Sequence, residues 1–173
     1  MLVYRKKMCS FAGKTKTLMD TRGKLARKAA YTAYSTAKYK RDYFDERTGG
    51  YLVIENQRIA QSKRNKQEKE KFEKEKGMCI VLAKNGYAVE YLKDAQGSYD
   101  ILLNGVPADL KKTASHNNMV KYAKKAADEQ GAKVVVFEFS KMTHNIEKEL
   151  YCIKKLGIQV KYFTARAKEV SDL

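Results

Sequence analysis

The sequence predicts an α/β fold on the α+β borderline: a central mixed β-sheet flanked by helices and preceded by a basic N-terminal helix. Three observations predict it. Beyond residue 62 the hydrophobic pattern runs helix, three strands, helix, strand, helix, strand, an αβββαβ order extended by one helix–strand unit. The run Lys133-Val134-Val135-Val136-Phe137-Glu138-Phe139 is almost continuously apolar, the pattern of a strand covered on both faces. Asn104-Gly105, set between two short apolar runs, is the strongest short-range signal for a tight hairpin.

Composition narrows the function classes. The 173 residues carry 36 Lys+Arg against 20 Asp+Glu, a net charge of +16. Such a field favours polyanions, nucleic acid first and an anionic membrane surface second. No apolar run approaches the ~18 residues of a membrane span, and the basic N-terminus lacks the apolar core of a signal peptide. The expectation is a soluble, cytoplasmic protein with no membrane partner. Cys9, Cys79 and Cys152 are odd in number, widely spaced and without a C-x-x-C, which argues against disulfides or zinc.

Taken in order, residues 1–48 form a basic arm and residues 49–173 the domain. From Leu18 to Tyr43 good helix formers dominate, with Ala26, Ala29, Ala30, Ala33 and Ala37 and no proline, so a helix is expected. Tyr31, Tyr34 and Tyr39 are interleaved with basic residues. Arg27 and Lys28 can follow phosphates while Tyr31 stacks on bases, or the same helix can dock on the domain through Leu25 and its tyrosines. Thr48-Gly49-Gly50 breaks the helix, and Tyr51-Leu52-Val53-Ile54 reads as a strand. A mixed-charge run from Ser62 suits an exposed helix with i,i+4 pairs, continuing to a stop at Asn85-Gly86. Phe72, Glu75, Cys79 and Leu82 share one face of it, which turns Glu75 towards the core, where a carboxylate needs a partner. A strand follows from Tyr87 to Leu92, then a loop over residues 94–98 and the hairpin. Ser115, Asn117 and Asn118 are placed to cap a helix over Met119–Ala127 or to touch phosphate or sugar. After the apolar strand, Thr143-His144-Asn145 starts a helix with Ile146, Leu150 and Ile153 on one face, and Gln159–Thr164 is the last strand.

The hairpin carries the chemistry. With Asn104 and Gly105 as the loop, Leu103 pairs with Val106, and counting outward sets Asp100 opposite Asp109. Two facing carboxylates repel across a ladder, which makes sense if a cation sits between them. Period two puts Lys111 on the face of Asp109, and Pro107 belongs at a strand start or edge. Two acids and an ammonium converging on a strand surface are the usual layout for metal-assisted phosphodiester hydrolysis.

This order, with Asp100 ahead of Asp109-Leu110-Lys111 on the second hairpin strand, resembles the PD-(D/E)xK nuclease superfamily and its restriction-endonuclease-like core. Tyr99 stands where the name-giving motif has proline. The stretch from Glu75 through Leu82-Ala83-Lys84-Asn85-Gly86-Tyr87 to Lys111 is also similar to the C-terminal toxin domains of contact-dependent inhibition systems, often tRNA nucleases. The likeness covers about Gly49 to Ala165. It implies Asp100, Asp109 and Lys111 as catalytic residues and Glu75 as a further acid. Asp100, Asp109 and Glu75 would hold Mg or Mn, with the Leu110 carbonyl as an added contact. Nucleic acid, RNA such as tRNA or DNA, would be the substrate, followed by Lys112, Ser115, Lys121, Lys124 and Lys125, and a toxin would have an immunity protein. Three other readings fit the same residues. They are a non-catalytic nucleic-acid-binding module, a metal-independent barnase-like RNase using His116 or His144, and a mobile-element assembly protein docking through residues 1–48.

Overall fold

Alanine-rich and basic, the first described segment is helical only in its first part. The structure, a computed structural model, describes residues 21–173. Helix α1 (Thr21–Ala33) ends well short of Tyr43, and β1 (Tyr39–Phe44) takes its place. Tyr39, Tyr43 and Phe44 suit a half-buried strand, and pairing with a neighbour overrides the helix propensity of the stretch. The expected helix start at Leu18, and Cys9, lie outside the described residues. β1 is antiparallel to β2 (Tyr51–Glu55), so the division expected at residue 48 falls inside a hydrogen-bonded hairpin.

A short helix absent from the expectation, α2 (Asn56–Ser62), leads into α3 (Lys66–Lys84). The Asn65 side chain caps α3 by accepting from Glu68 N at 2.8 Å, and Asn85 ends it as expected. Glycine is required at position 50. A Cβ there would lie 2.0 Å from the Ala83 carbonyl oxygen, so the start of β2 can rest on the end of α3 only without a side chain.

The remaining elements follow the expected order: β3 (Ala88–Tyr91), β4 (Ile101–Leu103), β5 (Val106–Thr113), α4 (Met119–Asp128), β6 (Val134–Phe139), α5 (His144–Lys155), β7 (Gln159–Thr164) and a terminal β8 (Ser171–Asp172). The strands form one sheet in the order β1 to β8. The pairs β2–β3, β5–β6 and β6–β7 are parallel and the others antiparallel, a mixed α/β architecture. All six residues of β6 are buried, as its apolar run requires between two parallel neighbours.

Alternation along the strands feeds two cores. Leu52, Ile54, Val89, Ile101, Ala108 and Leu110 pack with Phe72, Cys79 and Leu82 of α3. Val135, Phe137 and Phe139 pack on the other face with Met119 and Ala123 of α4 and with Ile146, Leu150 and Ile153 of α5. Among the described residues, no helix is long and apolar enough to cross a membrane. Cys79 is buried and Cys152 exposed, both as free thiols.

Candidate functional site

The β4–β5 hairpin has the expected turn and register. Asn104 at φ 52° and Gly105 at φ 79° are both left-handed, as a two-residue type I′ turn demands. Leu103 pairs with Val106, Leu102 with Pro107 and Ile101 with Ala108. Asp100 lies one residue beyond the ladder but stays tied to β5. Its backbone N–H donates to Ala108 O at 3.2 Å, and its Oδ2 accepts from Leu110 N at 2.8 Å. The carboxyl is thereby anchored on the partner strand, beside Asp109.

Asp109 is fully buried. In the parallel register it aligns with Val135 and Lys111 aligns with Phe137, so both project to the α4–α5 face. Lys111 Nζ lies 2.5 Å from Asp109 Oδ2 as an ion pair, yet neither Asp109 oxygen has a hydrogen-bond partner of acceptable angle. A carboxylate removed from water with one cation on one oxygen is under-compensated. The effect shows on its neighbour: burial first, then the Asp109 charge, raise the Asp100 carboxyl from 3.8 to about 7.

Glu75 projects inward from α3 as the helical spacing implies, but into a cluster of its own. Its Oε2 accepts from Tyr91 OH at 2.5 Å and from Arg58 Nη2 at 3.3 Å. Arg58, 1% exposed, also donates from Nε to Tyr91 OH at 2.9 Å and from Nη1 to Glu68 Oε2 at 3.2 Å. Its guanidinium sits 5.6 and 5.3 Å from the ring centroids of Phe72 and Tyr91. Burial, followed by the Asp100 charge, raises the Glu75 carboxyl above its ordinary range. The charges of Glu75 and Asp100 therefore act on each other although their hydrogen-bond partners differ. On the solvent side of Glu75, Lys71 Nζ lies 4.0 Å from Oε1 and forms a short ion pair with Asp94.

Among the described residues, no three His, Cys, Asp or Glu side chains gather closely enough to hold one metal ion. Glu75 stands apart from the aspartates here, its Oε2 taken by Arg58 and Tyr91. Asp100 and Asp109 by themselves fit a hard divalent cation: two adjacent carboxylates, with Asp109 Oδ1 lacking a partner and Oδ2 met only by the Lys111 ammonium.

The other expected contacts divide. Lys121, Lys124 and Lys125 are exposed on α4, along a surface groove that Val120 and Asp128 also line. Ser115 is exposed in the β5–α4 loop, where its hydroxyl accepts from Asn117 N at 3.1 Å. Asn118 occupies the N-cap position of α4 at φ 67° without a side-chain capping bond, so the capping expected of it comes from no side chain. Lys112 turns to the α3 face and pairs with Glu138 at 2.6 Å, away from Lys111. In α1, Tyr31 packs its ring on Phe44 and Tyr51 at 5.5 and 5.6 Å, Lys28 pairs with Glu46, and Arg27 donates to Asn104 Oδ1 at 3.3 Å. That helix is docked through Tyr31, and Tyr34 just beyond its end packs on Tyr39 and Tyr51, whereas Leu25 is exposed. His116 lies in the β5–α4 loop, and His144 opens α5 beside Glu147.

Sequence expectation missed Arg58, Tyr91, Lys71 and Asp94. The one signal pointing to them was Glu75 itself: an acid on an apolar helical face requires partners, and those partners are what the structure supplies.

No family model and no curated protein matches the chain. Among solved structures it is similar to the CdiA-CT/CdiI toxin and immunity complex from Burkholderia pseudomallei, with a TM-score of 0.49 and 18% identity, covering 64% of this chain and 89% of that one.

Proposed function

We propose that this chain is a metal-dependent nuclease that hydrolyses phosphodiester bonds of nucleic acid, RNA such as tRNA or DNA. The observation that carries the reading is the pairing of half-buried Asp100 with fully buried Asp109, with Lys111 on the same face and too few hydrogen-bond donors for the charge. A sheet built for packing alone gains nothing from two such carboxylates, and a protein that only binds phosphates is hindered by them.

Asp100 and Asp109 would hold Mg or Mn through carboxylate oxygens. When bound, the ion makes a water more acidic and offsets phosphate charge. The protein's own residues do the rest. The Leu110 N–H fixes the Asp100 carboxyl against β5. Lys111, one side of its ammonium against Asp109, presents positive charge on the same face for the oxygens that become more negative as the phosphorus is attacked. Glu75 is kept in place by Arg58 and Tyr91 and adds negative charge behind Asp100. The exposed lysines of α4 follow the backbone of the strand without reading sequence. The resemblance of residues 75–111 to contact-dependent inhibition toxins extends the reading to a toxin with an immunity protein as its partner.

The test is cleavage of total tRNA, single-stranded DNA and duplex DNA by the purified protein with Mg²⁺, Mn²⁺ or chelator. Metal-dependent cutting is expected, with Asp109→Ala and Lys111→Ala each lowering it by about 10²–10³-fold while remaining folded. Cutting that persists in chelator removes the metal, and binding without cutting under every condition removes the nuclease.

A further inference from the structure

Resting on the nuclease reading, the geometry points to Lys71 as a second phosphate-binding group of the site, entering from α3 as Lys111 enters from β5. Lys71 is tied to two acids, Asp94 and Glu75 Oε1. Each acid is itself fixed. Tyr91 and Arg58 hold the other oxygen of Glu75. Asp94 is bound to the Gln61 side chain of α2 on both sides of its backbone: Asp94 N donates to Gln61 Oε1 at 2.8 Å, and Gln61 Nε2 donates to Asp94 O at 2.9 Å. A lysine on a four-carbon stem ordinarily samples many positions; this one is confined, yet its side chain is 41% exposed and open to a ligand. The Asp100 charge acts on it as well as on Glu75, so its ammonium lies within the field of Asp100.

Charge balance gives this ammonium a task. A phosphodiester anion that approaches Asp100, Asp109, Glu75 and Asp94 is repelled by each, and cations fixed to those acids must offset the repulsion. Among the described lysines, Lys71 and Lys111 are the ones ion-paired to this group. Lys111 is committed to a buried partner, whereas Lys71 sits at the accessible rim, where it meets the phosphate first.

The test is binding of a labelled single-stranded oligonucleotide and of tRNA in chelator across a salt series. Lys71→Met is compared with Lys74→Met, an exposed lysine on the same helix, and with Lys71→Arg, thermal midpoints being matched. Lys71→Met is expected to flatten the slope of log affinity against log salt by about 0.7 on the single strand, one phosphate contact. Lys71→Arg should keep the wild-type slope. A Lys71→Met slope equal to that of the wild type, or no flatter than that of Lys74→Met, overturns the assignment. Should Lys71→Met fail to fold, Lys71→Gln answers the same question. Because the measurement needs neither metal nor cutting, the two readings fail separately. Wild-type protein that binds but never cuts loses the nuclease and keeps the Lys71 contact; wild-type cutting with an unchanged Lys71→Met slope loses Lys71 alone.

Discussion

Two groups of buried charge lie side by side in this molecule and are solved in opposite ways. Around Arg58, one guanidinium meets Glu68, Glu75, the Tyr91 hydroxyl and two aromatic faces, and every charged group has a partner. Around Asp109, two carboxylates face each other with one lysine, which pairs with Asp109, and one backbone N–H, which Asp100 accepts, between them. The first arrangement closes on itself and adds to the fold once its desolvation is met. The second stores repulsion that a ligand can relieve. The difference teaches where to look: in a chain full of charge, function is sought at the buried charges that the protein does not satisfy.

Removing the centre of the satisfied cluster should do the most damage. Arg58→Ala leaves Glu68, Glu75 and Tyr91 without their shared donor and should cost about 3–5 kcal/mol, read as a fall in the urea midpoint. Treating the aspartate pair in the same way should have the opposite sign. Asp100 binds a proton in the folded state at pH values where the unfolded chain has released it, since its carboxyl is raised from 3.8 to about 7. Folding stability contributed by this group is therefore greatest below about pH 4, declines as pH rises towards 7, and stays low above it. Asp100→Asn, which can keep an acceptor for Leu110 N, should stabilise the metal-free protein by roughly 1–3 kcal/mol at pH 8. The gain should shrink by pH 5, as seen in urea midpoints at both pH values. An Asp100→Asn variant less stable than wild type at pH 8 would erase the contrast between the two regions. Mn²⁺ sharpens the contrast further. At a hundred times its Kd it should stabilise the wild type by about 2.7 kcal/mol, and Asp100→Asn by less, measured as a shift in Tm. The smallest effect is expected from Tyr91→Phe, which removes one hydroxyl from the satisfied cluster and keeps its ring stacked on Phe72: about 1–2 kcal/mol in urea.

What the sequence revealed and what it hid follow the reach of each signal. Asn104-Gly105 admits a type I′ turn, and that turn sets the pairing of Leu103 with Val106 and the approach of Asp100 to Asp109, so this half of the site was legible from adjacent residues. The face shared by Phe72, Glu75, Cys79 and Leu82 was legible from helical spacing, as was the strand from Val134 to Phe139 from its apolar run. Arg58 was not. It lies in Asn56-Gln57-Arg58-Ile59-Ala60-Gln61-Ser62, which reads as surface, and its partners stand 10, 17 and 33 residues away. Only the packing of α2 against α3 and β3 makes it a core residue. β1 was hidden differently: Ala37 and the alanines before it continue a helical composition, while the strand is set by β2, which supplies the hydrogen bonds. Lys112 was within reach, because the alternation that puts Lys111 beside Asp109 also sends Lys112 to the opposite face.

The order of the sheet has a consequence for how the chain reaches this state. Every described strand lies beside its neighbours in sequence, from β1 to β8. No strand must be slotted between two that are already joined, so the sheet can grow from one edge as synthesis proceeds, each new strand adding to the last. The aspartate hairpin lies in the middle of this progression, between the parallel unit completed by α3 and those built by α4 and α5. Its repulsive carboxylates are joined by a turn of two residues, the shortest strand-to-strand connection among the described residues, so the closure that brings them together costs little entropy.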